Sequence, residues 1–183
     1  LGIVGRLVPI KDHLTLFQAL ARLHTEGRAV HLTVVGDGEE RARLEALASS
    51  LGLGLRIHFL GWRVDLETIL KELDVVICAS RNEGTPVALI EAMAAGRPVI
   101  GTVPGAASEI IRDGETGRLT PARNAARLGS SMCVTFGVIF AQTGFFAALI
   151  TQRQTSSRIA GSSPIAAPIL RSGRPCGQEK FSS

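Results

Sequence analysis

Glu83 and Glu91 stand with seven residues between them in SRNEGTPVALIEAMAAGRPVIGT, Ser80 to Thr102. Glu83 follows directly on the apolar run DVVICAS. On its own it reads as a solvated loop acid. Glu91 sits among Val87, Leu89, Ile90 and Met93 on a predicted helix so apolar that it should be largely buried. A carboxylate there is costly unless paired, which makes Glu91 the more informative of the two. A carboxylate accepts two hydrogen bonds side by side, and the 2′,3′-diol of a ribose offers two donors at that spacing. Backbone amides at Gly84 and Thr85, at the helix start, would attract an anion. Arg6 and Lys11 flank the loop after the first strand, with Pro9 stiffening it. Separately each is most often a surface charge. Together they could clamp a diphosphate, Arg with a planar fork of donors and Lys with a mobile point charge. A phosphate at the helix mouth, a diol beside Glu91 and further hydroxyls beside Glu83 describe a nucleotide sugar.

Other signals are weaker. GDGEE, Gly36 to Glu40, is half of a dinucleotide fingerprint and lacks the full G-x-G-x-x-G, so a helix-start turn is the better reading. Trp62 and Arg63 could face a base, although a lone tryptophan at a strand end is more often packing. His13, His24, His31 and His58 are scattered, and none is assigned to catalysis. No Ser-His-Asp set and no Cys/His ligand spacing stands out, so no metal site is expected. Three cysteines without C-x-x-C spacing make no disulfide framework, and a reducing cytosol is the default.

The elements that must position these residues alternate in type. LGIV, HLTVVG, RIHFLG, DVVICAS, RPVIGT and GRLT read as strands. HLTLFQALARLHTEG, EERARLEALASSLG, DLETILKEL and PVALIEAMAAG read as helices, the first capped by Asp12 and ended by Gly27, the last starting at Pro86 and ending before Gly96. Strands apolar on both faces, alternating with helices, predict an α/β domain: a Rossmann-like parallel sheet with helices on both faces. Ligands bind such sheets beyond the carboxyl ends of the strands, which is where the loops named above fall.

The composition is ordinary for a globular chain, 45% apolar and 20% charged, with net charge +4. Beyond Gly129 the only acid is Glu179, so the positive excess belongs to the tail. With no tyrosine and few aromatics, a nucleic-acid partner is not expected. The chain begins with Leu1 inside a strand pattern, which reads as a piece whose natural start lies upstream. Near Leu128 the alternating rhythm is lost. Met132 to Ile150 carries no charge, and a Ser/Gly/Pro-rich stretch follows. The expected division is therefore 1–128, a nucleotide-sugar-binding domain, and 129–183, an atypical tail outside the domain's core. A shifted reading frame is the first explanation of that tail, and a membrane helix over Met132 to Ile150 the second.

VGRLVPIKD, VVGDGEERARLEALASSLGL, IHFLGWRVDLETILKELDVVICASRNEGTPVALIEAMAAGRPVIGT and GAASEIIRDGETGRL resemble one family: the group 1 glycosyltransferases, of the retaining family-4 type with the GT-B fold. The resemblance runs from about Ile3 to Pro121 and covers the C-terminal, donor-binding half. It implies transfer of a sugar from a nucleotide-diphosphate sugar to an acceptor held by an N-terminal domain that this chain lacks. By the resemblance, Glu83 contacts sugar hydroxyls near the reacting carbon and Glu91 binds the ribose diol. Arg6 and Lys11 stabilise the departing diphosphate, and Gly84 and Thr85 offer backbone donors. It implies no cofactor and no metal, and a cytoplasmic place, with peripheral attachment at the inner membrane face as a further option. The chain alone is expected to be inactive. A non-catalytic sugar-nucleotide-binding module and a sugar-nucleotide epimerase on the same fold are the competing readings.

Overall fold

A computed structural model describes residues 1–139. Its six strands are β1 Gly2–Val4, β2 Leu32–Val35, β3 Ile57–Gly61, β4 Val76–Cys78, β5 Val99–Val103 and β6 Arg118–Pro121. They form one sheet in the order β3-β2-β1-β4-β5-β6, and every pairing is parallel. The helices are α1 His13–Thr25, α2 Arg41–Ser50, α3 Leu66–Glu72, α4 Val87–Ala94 and α5 Ala107–Ile110. A further helix, α6, is described over 125–139. This is the expected Rossmann-like α/β architecture.

The central strands are buried because helices cover both their faces. Val75 to Ser80 is buried at every position, whereas edge strand β3 alternates with partly exposed residues. One core cluster joins Val76 and Cys78 of β4 to Leu89 and Ala92 of α4, Val99 of β5, and Ala107 and Ile111. Helix ends follow glycine. Gly27 and Gly96 take positive φ just past α1 and α4, and the next amides, of Arg28 and Arg97, turn back to the carbonyls of Leu23 and Ala92.

Three expectations need correction. Asp12 holds the N-cap position of α1 in a left-handed conformation, but its side chain caps nothing. Its carboxylate instead accepts from Thr15 Oγ1 at 2.9 Å and faces Arg81. The segment PGAASE, to which the sequence reading gives no element, leads into the one-turn helix α5. The division expected at 128/129 falls inside α6. Leu128, Gly129, Met132 and Thr135 are buried along one side of that helix, at the i, i+4, i+7 spacing that marks an apolar helical face. A Cβ at Gly129 would lie 3.8 Å from the Ala19 carbonyl oxygen, which sets the helix beside α1. The first compact unit accordingly runs Leu1–Thr135. Residues 140–183, including most of the apolar run to Ile150, lie outside the described residues. Among the described residues no helix is long and apolar enough to cross a membrane.

If α6 belongs to the core, Met132→Ala should cost about 2–5 kcal/mol of unfolding free energy, through lost burial and the cavity left behind. Met132→Leu, which nearly conserves volume, should cost less than about 1.5 kcal/mol. Urea titration of the two variants checks this, and equal midpoints for Met132→Ala and the parent chain would detach α6 from the domain.

Candidate functional site

The strand order reverses between β1 and β4. Connections leaving their carboxyl ends diverge there and open a crevice, the usual ligand position in sheets of this kind. The residues 5–12 after β1 form one wall, and 79–86 after β4 the other. A single 3-10 turn, Pro9–Lys11, shapes the first wall. Gly36 and Gly38 let the β2–α2 turn press against it. A Cβ at Gly36 would collide with the Gly5 carbonyl, and one at Gly38 would sit 2.5 Å from that of Leu7. The glycines of GDGEE therefore serve close backbone packing, in line with their reading as a turn. Leu7 N–H donates to Asp37 O, and Glu40 N–H to Leu7 O.

Lys11 and Glu83 meet across the crevice. Lys11 Nζ donates to Oε1 and Oε2 of Glu83, both at 2.8 Å. Their side chains are 23% and 20% exposed, so water screens the pair less than it would a surface ion pair. Ser80 Oγ donates to Glu83 Oε2 at 2.6 Å. Burial is the largest single influence on the Glu83 carboxyl and pushes its pKa up. The hydrogen bonds from Lys11 and Ser80 outweigh it together and hold the group below its ordinary range. The Glu83 carbonyl is also fixed, by the Ala106 amide at 3.0 Å. Gly105 makes that approach possible, since a Cβ there would lie 3.2 Å from the Glu83 nitrogen. One residue deeper, Arg81 reaches Asp12 at 3.5 Å, and its amide donates to the Ile10 carbonyl at 2.9 Å. Two charged contacts and one backbone bond thus tie the walls together.

The remaining expected residues are placed more loosely. The amides of Gly84 and Thr85 donate to no acceptor among the described residues and lie exposed just before α4. Arg6 is exposed on the first wall and takes part in no ion pair among the described residues. Glu91 corrects the expectation built on its burial: it is exposed, on the outward side of α4 with Val87, Ile90 and Ala94. The helix buries Leu89 and Ala92 and turns much of its apolar surface outward, with Val87 55% and Ile90 44% exposed. Glu91 therefore needs no internal partner and is accessible to a ligand. Trp62, read as packing, is 74% exposed beyond β3. The Arg63 fork is engaged by the Asp65 carboxylate at 2.8 and 2.6 Å. Ser80, Arg81 and Thr102 escaped the sequence reading. Their signal was polar residues ending otherwise apolar strands. Among the described residues no group of three or more His, Cys, Asp or Glu side chains could hold a metal ion.

A family model described as "Glycosyl transferases group 1" matches residues 1–135. A lipopolysaccharide core biosynthesis glycosyltransferase, LpsE of Rhizobium meliloti, is 39% identical over 114 residues, 62% of this chain and 32% of the relative. A 2-deoxystreptamine glucosyltransferase of Streptomyces kanamyceticus is 34% identical over 128 residues, 69% of this chain and 32% of the relative. The chain thus spans about a third of the length of these relatives. Among solved structures, Anabaena Alr3699/HepE in complex with UDP-glucose matches with TM-score 0.69 and 30% identity over 78% of this chain and 39% of that one. The C-terminal domain of a group 1 family glycosyl transferase, LpcC from Francisella tularensis, matches with TM-score 0.67 and 28% identity, covering 74% of each chain.

Behind the first wall lies His13, 2% exposed, with neither ring nitrogen hydrogen-bonded. Its ring meets Phe17 edge-on at 6.5 Å. Burial lowers its pKa from 6.5 to about 4, further than the nearby Glu40 charge raises it. The unfolded chain therefore binds more protons than the folded one between these values, and acid favours unfolding in that window. The contribution is whole above pH 6.5 and gone below 4. Going from pH 7 to 5 should cost roughly 2 kcal/mol of stability from this group alone. Urea unfolding of the parent chain and of His13→Leu at both pH values tests it. The parent should lose about that much more than the variant, and parallel losses would show that the ring titrates normally.

Proposed function

As the chain belongs to the group 1 glycosyl transferases and has the parallel sheet of a GT-B C-terminal domain, we propose that it is the donor-binding half of a retaining glycosyltransferase. It holds a nucleotide-diphosphate sugar in the crevice between β1 and β4, and a separate N-terminal domain brings the acceptor. The observation that carries this reading is the Lys11–Glu83 pair at the switch point, with the free amides of Gly84 and Thr85 beside it. That arrangement offers donors for phosphate and an acceptor for hydroxyls within one short loop. HepE, at 30% identity, is a structural neighbour whose complexes contain UDP, glucose and UDP-glucose, which supports a nucleotide sugar as the ligand class.

Each residue has a role under this reading. An ammonium group has three donors, and two of Lys11's are committed to Glu83. The third can take a phosphate oxygen without breaking the pair. As the bond between sugar and phosphate breaks, negative charge grows on the diphosphate and the anomeric carbon becomes cation-like. Lys11, Arg6 and the two amides stabilise the first, each by a few kcal/mol if preorganised. The ionised Glu83 accepts from sugar hydroxyls beside the second. Glu91, exposed eight positions along the chain on α4, takes the ribose diol. The residues suffice for donor binding without a metal. A cytoplasmic place, with peripheral attachment at the inner membrane face as a further option, accords with this role.

The reading divides labour between the two carboxylates. Glu91→Gln should weaken binding of a nucleoside diphosphate and of its sugar derivative alike, by about 5- to 20-fold, the scale of the difference between a hydrogen bond to a charged group and one to a neutral amide. Glu83→Gln should weaken the sugar derivative selectively. Calorimetric titration with UDP-, GDP- and ADP-glucose and the matching diphosphates reads both. Equal losses for the two ligand types in Glu83→Gln would remove the assignment.

The purified 183-residue chain should show no acceptor-dependent transfer. Holding the acceptor against the donor supplies up to roughly 7–11 kcal/mol in well-oriented systems, and that holding belongs to the other domain. Turnover by this chain alone would overturn the two-domain reading.

A further inference from the structure

The Glu83 carboxylate has an asymmetry that the pairing with Lys11 does not explain. A carboxylate oxygen has two lone pairs to offer. Oε2 accepts from Lys11 Nζ at 2.8 Å and from Ser80 Oγ at 2.6 Å, and Cys78 Sγ lies 3.7 Å away. Both its places are filled. Oε1 accepts only from Lys11 Nζ, and one place remains.

Ser80 is 2% exposed, so its hydroxyl has no water to turn to. It accepts from the Cys78 thiol at 3.4 Å, and burial pushes the pKa of that thiol up, which keeps its proton in place. With a donor behind it, the Ser80 proton has one direction left, toward Glu83. The backbone at this point is held too. Thr102 Oγ1, 4% exposed on β5, donates its one proton to the Ser80 carbonyl, with the Cys78 carbonyl oxygen 3.2 Å away. Thr102 thus ties the end of β4 to β5 where the sheet ladder between the two strands stops at Cys78 and Gly101.

We propose that Ser80, held by Thr102, is the positioning residue that aims Glu83: it occupies Oε2 and leaves Oε1 as the single acceptor for one hydroxyl of the ligand's sugar. Ser80 touches no ligand and acts through the carboxylate. The proposal rests on the crevice being a nucleotide-sugar site. It adds a residue to that site and a rule, that Glu83 engages its sugar through one oxygen.

The test is a double-mutant cycle read on two ligands. The 183-residue chain is titrated with the tightest-binding of UDP-, GDP- and ADP-glucose, and with the matching nucleoside diphosphate. Ser80→Ala should weaken the nucleotide sugar about 3- to 10-fold, less than the full worth of a hydrogen bond to an ionised group because Ser80 acts through the carboxylate. The diphosphate should move less than about twofold. On a Glu83→Gln background, Ser80→Ala should add nothing beyond that margin, because residues that act through one another are not additive. Should Ser80→Ala fail to fold, Thr102→Val removes the hydroxyl that holds the Ser80 carbonyl and is read in the same titrations, with the same selective loss expected. Equal losses on both ligands, no loss on either, or additive losses in the double variant each overturn the proposal. A parent chain that binds neither ligand class overturns the functional reading itself and this inference with it. A parent that binds both, beside a Ser80→Ala variant with the parental ratio, overturns this inference alone.

Discussion

The contact between Lys11 and Glu83 is where the chain's two winding directions are joined. On one side of it the sheet runs outward through β2 and β3, and on the other through β5 and β6. Only a short β1–β4 pairing, Gly2 with Val76, holds the halves together within the sheet. The walls beyond the strand ends would splay if nothing crossed between them. Lys11–Glu83, Arg81–Asp12 and the Arg81 amide on Ile10 supply that crossing. Each contact also restricts what the crevice can bind. On the proposed reading Glu83 serves ionised, and the bonds from Lys11 and Ser80 that lower its pKa are the ones that fix its orientation.

That coupling divides the site into a rigid half and a soft half. Glu83 is held through its side chain by Lys11 and Ser80, from the segments after β1 and β4, and through its carbonyl by Ala106. It pays little entropy on meeting a ligand. Glu91 is exposed, and Trp62 projects from its loop. Ordering each such side chain costs a ligand about 0.5–1.5 kcal/mol. On the proposed reading the rigid half faces the sugar and the diphosphate, where bonds change. The soft half faces the nucleoside, which only has to be held.

What could be read from the sequence follows from which signals are local. The strands DVVICAS and HLTVVG announce themselves by dense apolar runs and the helix HLTLFQALARLHTEG by its period and closing glycine, and they stand where expected. Glu83 and Lys11 were legible as candidates, but nothing in the sequence says that they touch. Their contact joins residues 72 positions apart. Glu91 was misjudged because apolar composition was taken for burial. α4 presents only Leu89 and Ala92 to the core as buried residues and leaves Val87 and Ile90 outside. The boundary at 128 was drawn from a change in composition. Leu128, Met132 and Thr135 keep the helical spacing across it, and the apolar residues around them hid the face they make. Ser80 and Thr102 are ordinary residues whose importance lies in what they bond to, which no spacing reveals.

On the proposed reading, the Lys11–Glu83 pair also bears on how an anionic ligand can approach a carboxylate. Glu83 is negative, and a diphosphate brings further negative charge to its neighbourhood. Unpaired, the carboxylate would repel it. With Lys11 between them at 2.8 Å from both carboxylate oxygens, the charge next to the incoming phosphate is close to neutral before binding. The lysine's third proton and the exposed amides of Gly84 and Thr85 then tip the balance toward attraction.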